Sequence, residues 1–413
     1  MNKKVIRCQF CKSKSLNEIL SLGRSGLCDS LIDENTLKYK KEENFPLNLI
    51  RCKKCDLVQL DYIVKNDLMF HKDYPYRSDI TPTLKNNLTG ISDYIQKNFN
   101  YNSNSLVVDI GSNDGTLLSG FKKKNYRVLG VEPTNISKIA NKKGIKTENI
   151  FFNSINARKL KKKYGEASII TATNVFAHVD ELDKFMQGVK TLLKKNKGIF
   201  LTESHYLVDI VEKLQYDSIY HEHLRFYLLK NLINIFSKYN LKVIDALRIP
   251  NYGGSIRVVA SADKSHKINK RVKKILKEEK KKGYYNNKIY KKFSTRVRNS
   301  KKKLQNYLWK LKSLKKKIVG IGCPGRAVTL LSYLNVDNSI LDYIAEQKNS
   351  LKLNLYTPTS RIKVINENIM LKKQPDYAFM LSWHYYEDII KNLRRKGLRS
   401  KIIIPLPNIK IVK

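Results

Sequence analysis

The chain has 413 residues, 42% hydrophobic and 10% aromatic with ten prolines, which excludes wholesale disorder and leaves room for two or three domains. Lys and Arg number 80 against 36 Asp and Glu, a net charge of +44, but the excess is mostly Lys spread along the whole length; this reads as compositional bias with no specific nucleic-acid surface, while still favouring anionic ligands such as nucleotide phosphates. No apolar run approaches the ~18 residues of a membrane span, and MNKKVIRCQF lacks the apolar core of a signal peptide, so a cytoplasmic protein is expected.

The first element is a pair of CxxC knuckles, Cys8 with Cys11 and Cys52 with Cys55. In a reducing compartment two such pairs bind metal more often than they form disulfides, and two knuckles close a tetrahedral zinc site. With no open coordination position the site is structural, and residues 1–70 form its module. Cys28 could replace one ligand, but fits a buried small apolar residue better.

Residues 71–264 begin with HKDYPYRSDITPTL and a polar helical stretch. SLVVDIGSNDGTLLSGF then reads as strand, glycine turn and helix. YRVLGVEPT, TENIFF, ASIITATNVFAHV and KGIFLTESHYL continue the strand–helix alternation, which predicts a parallel α/β sheet with ligands at its carboxyl edge. The turn carries Asp109, Gly111, Asn113 and Gly115, and Glu132 closes the next strand, where a carboxylate can accept from ribose hydroxyls. It departs from GxGxxG. Its acidic groups suit a sulfonium and an ammonium better than a pyrophosphate, as in an S-adenosylmethionine site.

QYDSIYHEHLRFY brings Tyr220, His221, Glu222 and His223 together. HEH lacks the i, i+4 histidine spacing of a metalloprotease helix, so general acid–base chemistry fits better than metal. His178 ends the fourth strand region near the sheet edge. NYGGSIR supplies a Gly253-Gly254 turn with Arg257 close by, suited to an anionic or hydroxyl-rich ligand.

Residues 265–317 are basic, with apolar positions at Ile268, Val272, Ile275, Val297, Leu304, Leu308 and Leu311. Their spacing predicts amphipathic connector helices with a solvated basic face; nucleic-acid binding is the sharper alternative. Residues 318–413 open a second α/β domain with GIGCPGRAVTLLSYL, which spells GxGxxG, and Asp342 stands near the spacing of a dinucleotide carboxylate. An NAD-linked oxidoreductase is the competing enzyme class.

These motifs together resemble the nucleotide-sugar C-methyltransferases that branch deoxysugars, over nearly the whole length. The resemblance runs through the paired CxxC module with LVQL, YPYRS, VVDIGSNDGTLL, GVEPT, FFNSINARKL, NVFAHVDEL, YHEHLRFY, NYGGSIR and GIGCPGRAVTLLSYL. It implies a zinc module, a Rossmann-like class I methyltransferase domain, and a second Rossmann-like domain helping to hold an NDP-sugar. It implies that His223 is the base, that Tyr220 and Glu222 stabilise the enolate or relay protons, and that His178 and Tyr76 line the sugar. Cofactor binding falls on Asp109, Gly111, Asn113, Gly115, Glu132, Phe152 and Asn174, and substrate binding on Gly253, Gly254, Arg257 and Arg326. The chain departs from the family in LGRSGLCDSL, where a proline is common, at His221, where a relative can carry an acid, and in GRA, where a Lys is frequent. An O-methyltransferase acting on a nucleotide sugar is the alternative, and the oligomeric state is left open, a monomer included.

Overall fold

The computed structural model describes residues 2–39, 42–69, 78 and 82–413, so Tyr76 lies outside the described residues. The amino-terminal module is an antiparallel sheet of Leu16–Ser25, Phe45–Cys52 and Val58–Leu60. Its fourth strand comes from far along the chain: Arg225–Phe226 pairs antiparallel with Val58–Leu60. Each CxxC makes the same turn. Lys12 and Asp56, one residue past each pair, have φ of 61° and 63°, and their N–H groups donate to Cys8 O and Cys52 O at 3.1 and 3.0 Å.

Seven strands form the central sheet. Counted in chain order they are Leu106–Ile110, Arg127–Val131, Thr147–Glu148, Ile169–Thr173, Ile199–His205, Lys242–Ile249 and Ser255–Ser261, and they lie side by side as 3-2-1-4-5-7-6. The first five are parallel; Ser255–Ser261 runs antiparallel to both its neighbours. LVVDI at 106–110 is buried throughout, as expected of a parallel strand covered on both faces.

The carboxyl-terminal sheet has Ile318–Ile321, Ile344–Glu346, Val364–Asn366, Tyr377–Met380, Lys401–Ile404 and Lys410–Val412 in the order 3-2-1-4-5-6, parallel except for the last. Helices Lys270–Lys281 and Asn287–Ser313 join the two sheets. Asn269 and Asn286 cap their amino ends, and the helices bury the predicted apolar stripe from Val272 and Ile275 to Val297, Leu304, Leu308 and Leu311, except for Ile268, which precedes the first cap and is exposed. Among the described residues no helix is long and apolar enough to cross a membrane.

Candidate active site

In each α/β sheet the first and fourth strands are neighbours, so the strand order reverses between them and leaves a crevice at their carboxyl ends. Both crevices open onto one cavity of about 1180 Å³. That exceeds the ~300–1,000 Å³ of an ordinary small-molecule pocket and gives room for two ligands side by side.

The first crevice is lined by Asp109, Gly111, Asn113, Glu132, Phe151, Phe152 and Asn174. Gly111 has φ of +67°, and a Cβ there would run into the Val175 side chain, so the backbone can approach a ligand only without one. Glu132 is buried; it accepts from the Asn113 N–H at 3.0 Å and the Thr134 N–H at 2.9 Å, fixing a carboxylate at the end of its strand. Burial pushes the Asp109 carboxyl up to about 7, against a hydrogen bond from Thr171 Oγ1 at 2.6 Å. The Ser112 hydroxyl is buried without a hydrogen-bond partner. A tight glycine cradle with carboxylates and an unsatisfied hydroxyl fits S-adenosylmethionine. Gly115 lies behind this wall: it starts the helix Thr116–Lys122 with φ of 79° and packs on Ile145 without lining the cavity.

Deeper in, His178, His205, Tyr220, Glu222 and His223 meet. The His223 ring lies 4.0 Å from that of Tyr220, 4.7 Å from His205 and 4.9 Å from His178, centroid to centroid. His223 Nδ1 is 2.8 Å from the Ser218 carbonyl. A carbonyl only accepts, so Nδ1 carries the proton and Nε2 keeps a basic lone pair. Burial holds the His223 and His205 imidazoles well below their ordinary range and His178 down to about 4, with the nearby Arg225 charge adding to the effect on His178. All three are neutral at pH 7. Burial holds the Tyr220 hydroxyl protonated, well above its ordinary range. The three histidines do not converge as metal ligands; among the described residues, the four-cysteine set is the group that does. His221 points away, with its Nε2 donating to Pro46 O at 3.1 Å and its ring edge-on to Phe45.

The sequence left His205 and His384 unmarked. Both line the cavity, with His205 Nε2 and His384 Nδ1 buried and unpartnered. His205 closes a parallel strand, the position in which the sequence placed His178 one strand earlier. That earlier strand ends at Thr173 and His178 stands in the turn beyond it, but the signal was usable for His205. On the carboxyl-terminal face the cavity is lined by residues 321–326, Glu346, Lys352, Ser382 and Tyr385. Arg326 is buried, with only long contacts to Gln215 Oε1 at 3.5 Å and Tyr252 O at 3.4 Å and an ion pair with Asp217 at 3.8 Å. Lys352 donates to Asp29 at 2.8 Å and to Cys323 O at 2.9 Å. Asp342 lies outside this face, paired with Lys312 at 2.9 Å; the carboxylate that ends the second strand is Glu346, which accepts from Cys323 N–H at 2.7 Å.

Gly253, Gly254 and Arg257 do not line the cavity. A Cβ at Gly253 would come within 2.6 Å of Gln215, and one at Gly254 would collide with Asp209, so the two glycines seat the turn whose Tyr252 reaches the cavity. Arg257 sits directly opposite Glu203 in the antiparallel pair, is ion-paired with it at 2.8 Å, and donates to Asn87 at 3.0 Å.

In the amino-terminal module Cys8 Sγ is 3.6 Å from Cys55 Sγ, and Cys11 Sγ 3.5 Å from Cys52 Sγ. Tetrahedral zinc with Zn–S of ~2.3 Å sets its sulfurs about 3.8 Å apart, so the four thiols are placed to close on the ion with no open position. Cys28 is apart from them, buried beside Thr329.

Three family models match the chain in succession: a zinc binding domain over residues 8–70, a methyltransferase domain over 84–246, and a C-methyltransferase C-terminal domain over 250–407. C-methyltransferase NovU of Streptomyces niveus is 26% identical over 409 residues, 98% of this chain and 96% of that one. Among solved structures, a S-adenosylmethionine-dependent methyltransferase of Anabaena variabilis is 15% identical with a TM-score of 0.36, covering 43% of this chain and 85% of that one. Magnesium protoporphyrin IX methyltransferase of Synechocystis is 10% identical with a TM-score of 0.33, over 43% and 78%.

Proposed function

We propose that this chain, an S-adenosylmethionine-dependent methyltransferase with a zinc-binding module and a second α/β domain, acts as a C-methyltransferase on an NDP-keto-deoxysugar. The observation that most supports this reading is His223: a buried, neutral imidazole with its basic Nε2 free of the Ser218 contact, beside a protonated Tyr220, in a cavity that joins a cofactor crevice to a second nucleotide-type crevice. The reaction would run in the cytoplasm, where the cysteines stay reduced.

S-adenosylmethionine, when bound, supplies an electrophilic methyl group on a sulfonium that leaves as a neutral thioether. His223 Nε2 takes the proton from the carbon beside the substrate ketone. Tyr220 donates a hydrogen bond to the oxygen where negative charge develops, the kind of preorganised donor worth ~10²–10³ in rate. Glu222 and His178 line the same pocket, orient the sugar and carry the proton onward. On the opposite wall Arg326 and the amino end of helix Gly325–Leu334 face the diphosphate, and Glu346 accepts from ribose hydroxyls. Gly253, Gly254 and Arg257 act indirectly, by holding Tyr252 and the sheet edge.

The test is incubation with S-adenosylmethionine and a panel of NDP-keto-sugars in deuterated water. C-methylation predicts a product heavier by one methyl on carbon, and exchange of the proton beside the ketone when S-adenosylhomocysteine replaces the donor. An O-methylated product with that proton unexchanged would overturn it.

A further inference from the structure

Three carbonyls of the loop that carries His178 are held by one short segment of chain. The Tyr227 hydroxyl donates to Phe176 O at 3.0 Å, the Leu224 N–H donates to Ala177 O at 2.9 Å, and the Arg225 guanidinium donates to Val179 O. Thus the carbonyls at 176, 177 and 179 are all fixed from residues 224–227, directly after His223. That segment is itself a strand of the zinc module. Arg225 stands opposite Gln59, Phe226 opposite Val58, and Leu60 N–H donates to Leu224 O at 3.0 Å.

Arg225 closes the circuit to the metal knuckle. It is 1% exposed and heads the largest fully buried side chains among the described residues. Its Nη1 donates to Gln9 Oε1 at 2.5 Å and its Nε to the Tyr227 hydroxyl at 3.0 Å. Gln9 lies between Cys8 and Cys11, and its N–H donates to Gln59 Oε1 at 2.9 Å. All of these acceptors are neutral; among the described residues no carboxylate pairs with this cation. A buried, unpaired charge costs stability that an apolar side chain of similar volume would not, so its presence points to a task other than stability.

We propose that Arg225 is a positioning residue through which the zinc knuckle, by way of Gln9, sets the placement of His178 and His223 in the active site. The zinc module then serves as the outer frame of the catalytic pocket. The inference rests on the reading of His178 and His223 as the groups facing the sugar, but its physical core is a coupling between two places in the chain.

Gln9→Leu removes the acceptor at the knuckle without touching a thiol or a cavity residue, and Gln9→Glu restores an acceptor. Histidine side-chain resonances of the zinc-loaded full chain, assigned with His178→Gln and His223→Gln references, report the coupling directly. Gln9→Leu should shift the His178 and His223 resonances, keep about one equivalent of zinc and wild-type affinity for S-adenosylhomocysteine, and lower kcat by about ten- to a hundredfold at unchanged KM, the scale of a small misplacement of a reacting group. Gln9→Glu should return both resonances and kcat toward wild type. Unmoved resonances in a zinc-loaded Gln9→Leu protein would overturn the proposal. The resonance arm decides the coupling whatever substrate the enzyme proves to use, so failure of the sugar assignment shows separately, as absent turnover in the wild type.

Discussion

The Tyr220 and His223 rings lie with centroids 4.0 Å apart and planes tilted by 35°. A phenol that burial keeps protonated thus stands against an imidazole that burial keeps neutral. Donor and acceptor occupy one wall of the cavity without exchanging the proton between them, the arrangement needed to pull a proton from carbon while holding charge on oxygen.

Replacing the base separates chemistry from cofactor binding. His223→Ala is expected to lower kcat by ~10²–10⁴, the usual worth of a general base, and to leave affinity for S-adenosylhomocysteine unchanged. Calorimetric titration with S-adenosylhomocysteine and a turnover assay on the same preparation check both halves. Near-wild-type turnover would remove His223 from the mechanism.

Gly111 tests the other crevice. Its φ of +67° alone costs a side-chain residue about 1–2 kcal/mol, and any Cβ meets Val175. Gly111→Arg also fills the cradle with a long cation. Binding of S-adenosylhomocysteine should vanish from calorimetry while about one equivalent of zinc remains, because the metal module is built from a separate sheet.

The two glycine turns, the four cysteines and the Tyr220–His223 cluster were legible in the sequence because each is a local pattern with a chemical reason. What escaped depends on partners distant in the chain. Arg225–Phe226 is a two-residue strand with no periodicity of its own, and only its pairing with Val58–Leu60 shows that the segment following His223 belongs to the sheet of the zinc module. Arg257 reads as a ligand-binding cation until the antiparallel register sets Glu203 opposite it. Asp342 and Glu346 differ by four residues, within the usual uncertainty of a strand's end, and only the structure shows which carboxylate reaches the cavity.

Zinc should be required for the placement of the segment that follows His223 as well as for its own module. Elemental analysis is expected to give about one equivalent per chain. Strong chelation, which removes metal worth ~10–16 kcal/mol to small zinc domains, should abolish turnover while S-adenosylhomocysteine still binds, since the crevice at Gly111 belongs to the central sheet. Full activity in a metal-free preparation would show that the sheet holds Arg225–Phe226 in place without the metal.

Acid should destabilise the fold, and the sign follows from the buried histidines. His178 and His221 are held near 4, and His205, His223 and His384 below their ordinary range, all chiefly by burial. An unfolded histidine titrates near ~6.5. Between about 6.5 and 4 the unfolded chain therefore binds more protons at these sites, and stability present above 6.5 is lost as the pH falls through that window. Buried Asp109, Asp217 and Glu279 are shifted upward and act in the opposite direction, but they are three groups against five. Each net proton is worth about 1.4 kcal/mol per pH unit. Denaturant unfolding followed from pH 7 to pH 5 should show falling stability. His221 gives the clean control, since it lies outside the cavity and its ring donates to the backbone at Pro46 O. His221→Gln keeps a donor there and removes the titration, so it should flatten the slope by close to one proton near pH 5.5. An unchanged slope in that variant would mean that His221 titrates in the folded chain as it does in the unfolded one.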